Sequence, residues 1–325
     1  MFPFSFTKAT DENSALESGA SGARYIAGGT TLVDLMRETV ERPEAVVDIN
    51  ALPYRSIELG PTRLRVGSLV RMSELAAHPG VRQQFPVIVQ ALELSASAQL
   101  RNMASIGGNL MQRPRCLYFR DVSAACNRRI PGSGCGAIGG RNRNHAILGT
   151  SDQCVATHPS DLAVALVALD ALVITRDSNG EHPIRISEFF RQPGNTPERE
   201  HNLKPGDLIT AVEVPLRPES RRSGYLKVRD RESYEFALTS AAVALDIQSG
   251  IIRTARVAAG GVGTVPWRLS AVEGALIGRP PNAELFRNAA ARASDGAKPL
   301  SENGFKVELI KRTVERQLTT VAGLP

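Results

Sequence analysis

Cys116, Cys126, Cys135 and Cys154 are the only cysteines of the chain, and all four fall within one window of its 325 residues. Four thiolates complete the shell of a tetrahedral metal ion or of a cubane iron–sulfur cluster, and close spacing lowers the loop entropy lost when they converge. The pattern C-x9-C-x8-C-x18-C lacks the C-x2-C knuckle of zinc ribbons and the C-x2-C-x2-C run of bacterial ferredoxins. The count therefore points to one site, and the spacing leaves the metal unnamed. Unrelated buried thiols and disulfides stay open as alternatives. Arg113, Arg115, Arg120, Arg128, Arg129, Arg141 and Arg143 crowd the same window, with Asp121 its one acid up to His145. Such a segment is no apolar core, and its field suits an anionic thiolate cluster or an acidic partner surface.

The length predicts two or three domains, and 42% hydrophobic with 22% charged residues describes an ordinary globular chain. The opening MFPFSFTKAT lacks the basic stretch and apolar run of a secretory signal, and no apolar segment has the length of a membrane span. Residence in the cytoplasm, or in the periplasm by export alongside a signal-bearing partner, is expected. The net charge of +6 raises nucleic acid as a partner, but aromatics are only 5% and the arginines gather round cysteines instead of along a stacking platform, so nucleic-acid binding is not expected.

Two glycine pairs carry the next signal. Arg24 to Ala27 reads as a short strand, Gly28-Gly29-Thr30-Thr31 as a turn, and Leu32, Leu35, Met36 and Val40 recur at helical spacing, with Thr30 or Thr31 as N-cap. Glycines admit a phosphate close to the backbone, and N–H groups at a helix start attract anions. A ligand-free tight turn is the plainer alternative. After an expected helix over 90–99 comes a second glycine turn, Ser105-Ile106-Gly107-Gly108-Asn109, and the two turns are expected to oppose each other as walls of N–H donors round one diphosphate. Ser160 or Asp161 then opens an almost wholly apolar helix, which must be buried. Neither G-x-G-x-x-G nor a Walker lysine is present.

The runs Ala27-Gly28-Gly29-Thr30-Thr31-Leu32, Ala104 to Leu110, and Pro159-Ser160-Asp161-Leu162-Ala163 together resemble the FAD-binding subunit of the xanthine dehydrogenase and molybdenum hydroxylase family. The likeness continues through Gly206-Asp207-Leu208-Ile209, Tyr225 to Arg229 and Ala259-Gly260-Gly261-Val262. The resemblance implies an α+β chain: an FAD domain of the vanillyl-alcohol-oxidase or p-cresol-methylhydroxylase type in two subdomains (1–55 and 56–216), then a C-terminal α+β domain of the CO dehydrogenase flavoprotein type (222–325). It implies that Ile26, Ala27, Gly28, Gly29, Thr30, Thr31 and Leu32 cradle the FAD diphosphate. Ser105, Gly108 and Asn109 form the second wall, Asp161 meets the ribityl or ribose hydroxyls, and Leu208, Ile209 and Lys227 lie at the flavin end. A cation near the ring favours the anionic reduced flavin, while a snorkelling strand lysine is the plainer reading of Lys227. Residues 110–158 then read as an insertion. It is similar to those of the periplasmic aldehyde oxidoreductases and the 4-hydroxybenzoyl-CoA reductases, which implies a [4Fe–4S] cluster on Cys116, Cys126, Cys135 and Cys154. His145 is read as a polar loop position and His158 as a helix-entry residue.

Elsewhere, strands are expected at 45–49, 64–68, 208–214, 226–229, 238–247 and 252–259, and a hairpin with an Asn-Gly turn over 171–186. Helices are expected from Ser73 to about His78 and near 269–277, 282–293 and 306–319. The functional expectation is an electron-transfer subunit of a molybdenum-dependent aldehyde oxidoreductase. A large subunit would carry the molybdenum cofactor and a small one the [2Fe–2S] clusters, in a heterotrimer, with a ferredoxin-like acceptor docked on the arginines. The rivals are an assembly subunit that holds FAD and cluster without turnover, the flavin subunit of a related hydroxylase or dehydrogenase, and a free-standing flavin reductase. No side chain is assigned as general base or nucleophile.

Overall fold

A computed structural model describes residues 1–324. Strands Ser5–Lys8 (β1), Arg24–Ile26 (β2) and Ala45–Asp48 (β3) form a parallel sheet in the order β1-β3-β2. Parallel neighbours need crossovers, and these are the helices Glu12–Ala20 and Leu32–Arg37. The first starts in a capping box, Asp11 Oδ1 accepting from the Ser14 N–H at 2.8 Å.

The second sheet is antiparallel. Ile57–Leu59 (β4), Arg63–Gly67 (β5), Leu172–Asp177 (β6), Gly180–Arg185 (β7) and Leu208–Pro215 (β8) lie in the order β4-β5-β8-β6-β7. The expected hairpin is β6–β7, with Gly180 taking the positive φ of +123° at its turn. All eight residues of the helix Asp161–Ala168 are buried, as its apolar faces require. The helix expected over 90–99 is instead two, Pro86–Glu93 and Ala98–Met103, because Ala96 turns left-handed at φ +47° between them. The helix expected from Ser73 begins one residue earlier, at Met72.

The third sheet runs β12-β11-β10-β9, from Ser223–Val228 (β9), Thr239–Gln248 (β10), Ile251–Gly260 (β11) and Trp267–Arg268 (β12), all antiparallel. Helices Ser270–Leu276, Ala283–Ala290 and Phe305–Ala322 follow. Alternation along β10 shows why that strand is apolar on both faces. Ala241, Val243 and Leu245 join the core under the C-terminal helices, whereas Ala242 and Ala244 join Leu162, Val164 and Leu166 in the central core. The small alanines let the third sheet close on the buried helix.

Candidate functional site

A cleft of about 810 Å³ opens between the first two sheets. Ile26, Ala27, Gly28, Gly29, Thr30, Thr31 and Leu32 line it, as do Ser105, Gly108, Leu208 and Ile209. The two glycine turns are in direct contact: a Cβ on Gly28 would stand 1.9 Å from the Met103 carbonyl oxygen, so only glycine lets the walls meet. Thr31 is the N-cap of its helix without a side-chain cap bond, and the backbone N–H groups of residues 28–32 donate to no acceptor among the described residues. That leaves a row of free donors at a helix start, the arrangement that takes an anion.

The second turn differs from its expectation. It is a short helix, Ile106–Leu110, whose N–H groups are already spent. Ile106 donates to Val70 O at 2.9 Å, Gly107 to Ser68 O at 2.8 Å, Asn109 to Ser105 O at 2.8 Å, and Gly108 to Ser105 Oγ at 3.2 Å. The second wall therefore offers close-packed glycine surface and the Ser105 hydroxyl, and the N–H donors come from the first wall alone.

Asn109, Asp161 and Lys227 are not brought into the cleft lining. Their polar atoms are engaged behind it. Asn109 Oδ1 accepts from Ser160 Oγ at 2.5 Å. Asp161 pairs with Lys227 Nζ at 2.7 Å and accepts from Tyr225 Oη at 2.7 Å and Ser95 Oγ at 3.0 Å. Burial first, then the Asp161 charge, push the Tyr225 hydroxyl well above its ordinary pKa, so it stays a donor.

Residues that sequence reasoning did not single out also face the cleft. Ser68 is buried with its Oγ lacking any partner, and the His201 Nδ1 is likewise buried and unpaired. Each is a polar group that a bound ligand would satisfy. His158 enters the apolar helix as read, its Nδ1 accepting the Ser160 N–H at 3.3 Å, but it also lines the cleft with its ring edge-on to Phe190 at 4.4 Å. Dense packing pushes its pKa down to about 3, so the ring is neutral.

The four cysteines come together. Cys116, Cys126, Cys135 and Cys154 line one small cavity, all four thiols free of disulfides. Cys126 and Cys135 face each other as an antiparallel bridge, fixed by Asn127 N–H to Gly134 O at 2.7 Å. No three or more His, Cys, Asp or Glu side chains among the described residues are grouped to hold one metal ion. His145 sits in a loop, as expected, but it is buried, with Nε2 3.1 Å from Cys116 Sγ. Burial, with a smaller contribution from Lys306, pushes its pKa down to about 4, leaving a neutral imidazole beside the thiol.

Five of the seven arginines of the window turn inward, while Arg141 and Arg143 stay exposed. Arg115 and Arg120 pair with Asp34, and Arg120 also with Glu38 at 2.9 Å, so the cysteine window grips the helix that starts at the first glycine turn. Arg113 holds Glu41 and lies 2.7 Å from Glu200. Arg143 pairs with Asp230 at 3.1 Å. Arg129 donates to the carbonyls of Tyr118, Phe119 and Ala124. Arg128 is buried between Glu200 at 3.2 Å and Cys154 Sγ at 3.5 Å. On its other side the cysteine window is stitched to the C-terminal part, Ile147 N–H donating to Val262 O at 2.8 Å and the Asn142 N–H to Glu302 at 2.8 Å.

A family model described as the FAD binding domain in molybdopterin dehydrogenase matches residues 2–217, and one for the CO dehydrogenase flavoprotein C-terminal domain matches 224–321. Over 298 residues the chain is 45% identical to the aldehyde oxidoreductase FAD-binding subunit PaoB of Escherichia coli, covering 90% of this chain and 89% of that one. It is 25% identical over 331 residues to the glyceraldehyde dehydrogenase medium chain of Sulfolobus acidocaldarius, covering 99% and 100% of the two. In fold it matches a chain of reconstituted CO dehydrogenase from Oligotropha carboxidovorans with a TM-score of 0.78, at 19% identity over 100% of both.

Proposed function

The chain belongs to the FAD-binding medium subunits of the molybdenum hydroxylase family, and from that premise we propose that it is the electron-exit subunit of an aldehyde oxidoreductase, with FAD in the cleft and a [4Fe–4S] cluster held by Cys116, Cys126, Cys135 and Cys154. The observation that carries the cluster is the convergence of four thiols from separate segments on one small cavity. Thiolates about 2.3 Å from a single zinc would be crowded round one point, whereas a cluster of several irons spreads its ligands. Burial pushes the bare Cys116 thiol up to about 12, so this cavity suits a thiolate only when iron replaces the proton.

When bound, FAD supplies two-electron acceptance with release in single steps, and an iron–sulfur cluster supplies one-electron transfer. The chain's own residues bind and orient these groups. The free N–H groups of residues 28–32 would hold the diphosphate, and the hydroxyls of Ser68 and Ser105 would donate to its oxygens. Leu208 and Ile209 would present apolar surface to the flavin end of the cleft. Asp161, Lys227 and Asn109 would brace the wall from behind. The neutral His145 keeps a second proton away from Cys116 and can donate an N–H to its sulfur. Substrate oxidation belongs to a large subunit with the molybdenum cofactor, and electrons arrive through a small subunit with [2Fe–2S] clusters.

One observation favours a second reading, in which the cluster is a structural staple. The insertion is bonded both to the helix Leu32–Arg37 and to the C-terminal part, so a cluster at its centre would lock the two together.

The test is metal and flavin content of the anaerobically purified complex. Iron and acid-labile sulfide beyond the share of the [2Fe–2S] subunit are expected, and Cys126→Ser and Cys154→Ser are expected to lose that excess while keeping FAD. Variants that retain the full iron content would overturn the assignment.

A further inference from the structure

The Arg128 guanidinium forms part of the wall between the two cavities, lining both the cysteine cavity and the cleft. One edge, Nη2, lies 3.5 Å from Cys154 Sγ, and the other, Nη1, 3.2 Å from Glu200 Oε2. The residue is buried, and its Nε has no partner. Glu200, which faces the cleft, is itself held by Arg113 Nε at 2.7 Å, and Arg113 by Glu41. The four side chains form a row of alternating charge running out from the cysteine cavity. Its cationic end touches a cysteine sulfur, and the carboxylate next to it reduces but does not cancel the field there. A contact of this length is long for an N–H donor to oxygen but suits sulfur.

Resting on the reading of the cysteines as cluster ligands, we propose that Arg128 is the residue that sets the cluster's reduction potential, raising it so that an electron passes favourably from the flavin cleft towards the cysteine cavity, and that Glu200 moderates the effect. The potential of an iron–sulfur group follows its net charge, the hydrogen bonds to its sulfurs and its burial. A buried cation stabilises an added negative charge far more than an exposed one does. Arg128 supplies both the hydrogen bond and the charge, and it does so at the face of the cavity turned to the cleft. Removing it should therefore disfavour the reduced cluster while leaving iron in place, because the four thiols that hold it are untouched.

The experiment is an electron paramagnetic resonance redox titration of the complete complex, wild type against Arg128→Gln and Glu200→Gln, with iron, sulfide and FAD measured on each. Arg128→Gln is expected to lower the equilibrium constant for one-electron reduction of the cluster by roughly tenfold, about 59 mV, with the flavin potential moving less. Glu200→Gln keeps the shape of the row and one of its two acceptor oxygens while removing its negative charge, so a shift in the opposite direction is expected. A potential unchanged in Arg128→Gln at full iron content overturns the inference, as does a shift of the same sign in both variants. Should Arg128→Gln fail to assemble, Glu200→Gln decides: a raised potential supports the inference and an unchanged one overturns it. A wild-type complex with no iron beyond its [2Fe–2S] clusters would overturn the cluster reading first, and with it the basis of this inference.

Discussion

Asp161 and Lys227 lie 66 residues apart in sequence and meet at 2.7 Å in a buried ion pair, their side chains 7% and 1% exposed. The pair ties the first turn of the buried helix to β9. Removing one partner leaves an uncompensated buried charge, which costs about 3–5 kcal/mol. Lys227→Met is therefore expected to lower the urea midpoint strongly. The double variant Asp161→Asn, Lys227→Met should recover part of that loss, since no charge is then stranded. Simple additivity in this double-mutant cycle would contradict the coupling.

Gly28 is where the two walls of the cleft touch. In Gly28→Ala the new methyl would sit 1.9 Å from the Met103 carbonyl oxygen, so the walls must part. FAD affinity is expected to fall by roughly tenfold or more, each tenfold being about 1.4 kcal/mol, as read by flavin release on dilution. Gly274→Ala is the control. It lies exposed in the helix Ser270–Leu276 with nothing within 4 Å, and should leave FAD binding unchanged while stabilising the fold by up to about 1 kcal/mol.

Lys306 gives a pH signature. It is fully buried, donates to Gly261 O at 2.7 Å, and burial, helped by Arg143, pushes its pKa down to about 7. In the unfolded chain it keeps its proton to its ordinary value of 10.5. Between those values the unfolded state binds more protons, so stability contributed by this group rises with pH there and is flat below about 7. The slope is at most about 1.4 kcal/mol per pH unit. Urea unfolding of wild type and Lys306→Met from about pH 7 to about pH 9 checks it: the difference between the two proteins should change with pH in that sense, and a constant difference would contradict it.

Features with a local signal were legible in the sequence. The first glycine turn and its helix, the wholly apolar helix after Ser160 and the strands of the third sheet all follow from spacing over a few residues. The likeness of residues 2–217 to an FAD domain was readable from the short runs round Gly28, Gly107 and Asp161. What sequence reading missed depends on distant partners. The arginine-rich window looked like an unneutralised basic face because its acids, Asp34, Glu38, Glu41, Glu200 and Asp230, lie outside it. Lys227 looked free to face a ligand because nothing in its own strand shows that Asp161 would reach it. The second glycine turn looked like a bed of N–H donors because its acceptors, Ser68 O and Val70 O, come from residues more than thirty positions earlier. Ser68 and Glu200 carry no motif at all, and only the fold places them at the cleft.

Passage of electrons through the cysteine site during turnover separates a relay from a staple. Rapid-freeze electron paramagnetic resonance, after mixing the oxidised complex with aldehyde, should show a reduced-cluster signal that is absent in Cys154→Ser, rises after flavin bleaching begins and decays when an acceptor is added. A cluster that stays oxidised throughout turnover while the flavin cycles would contradict the relay and leave the staple.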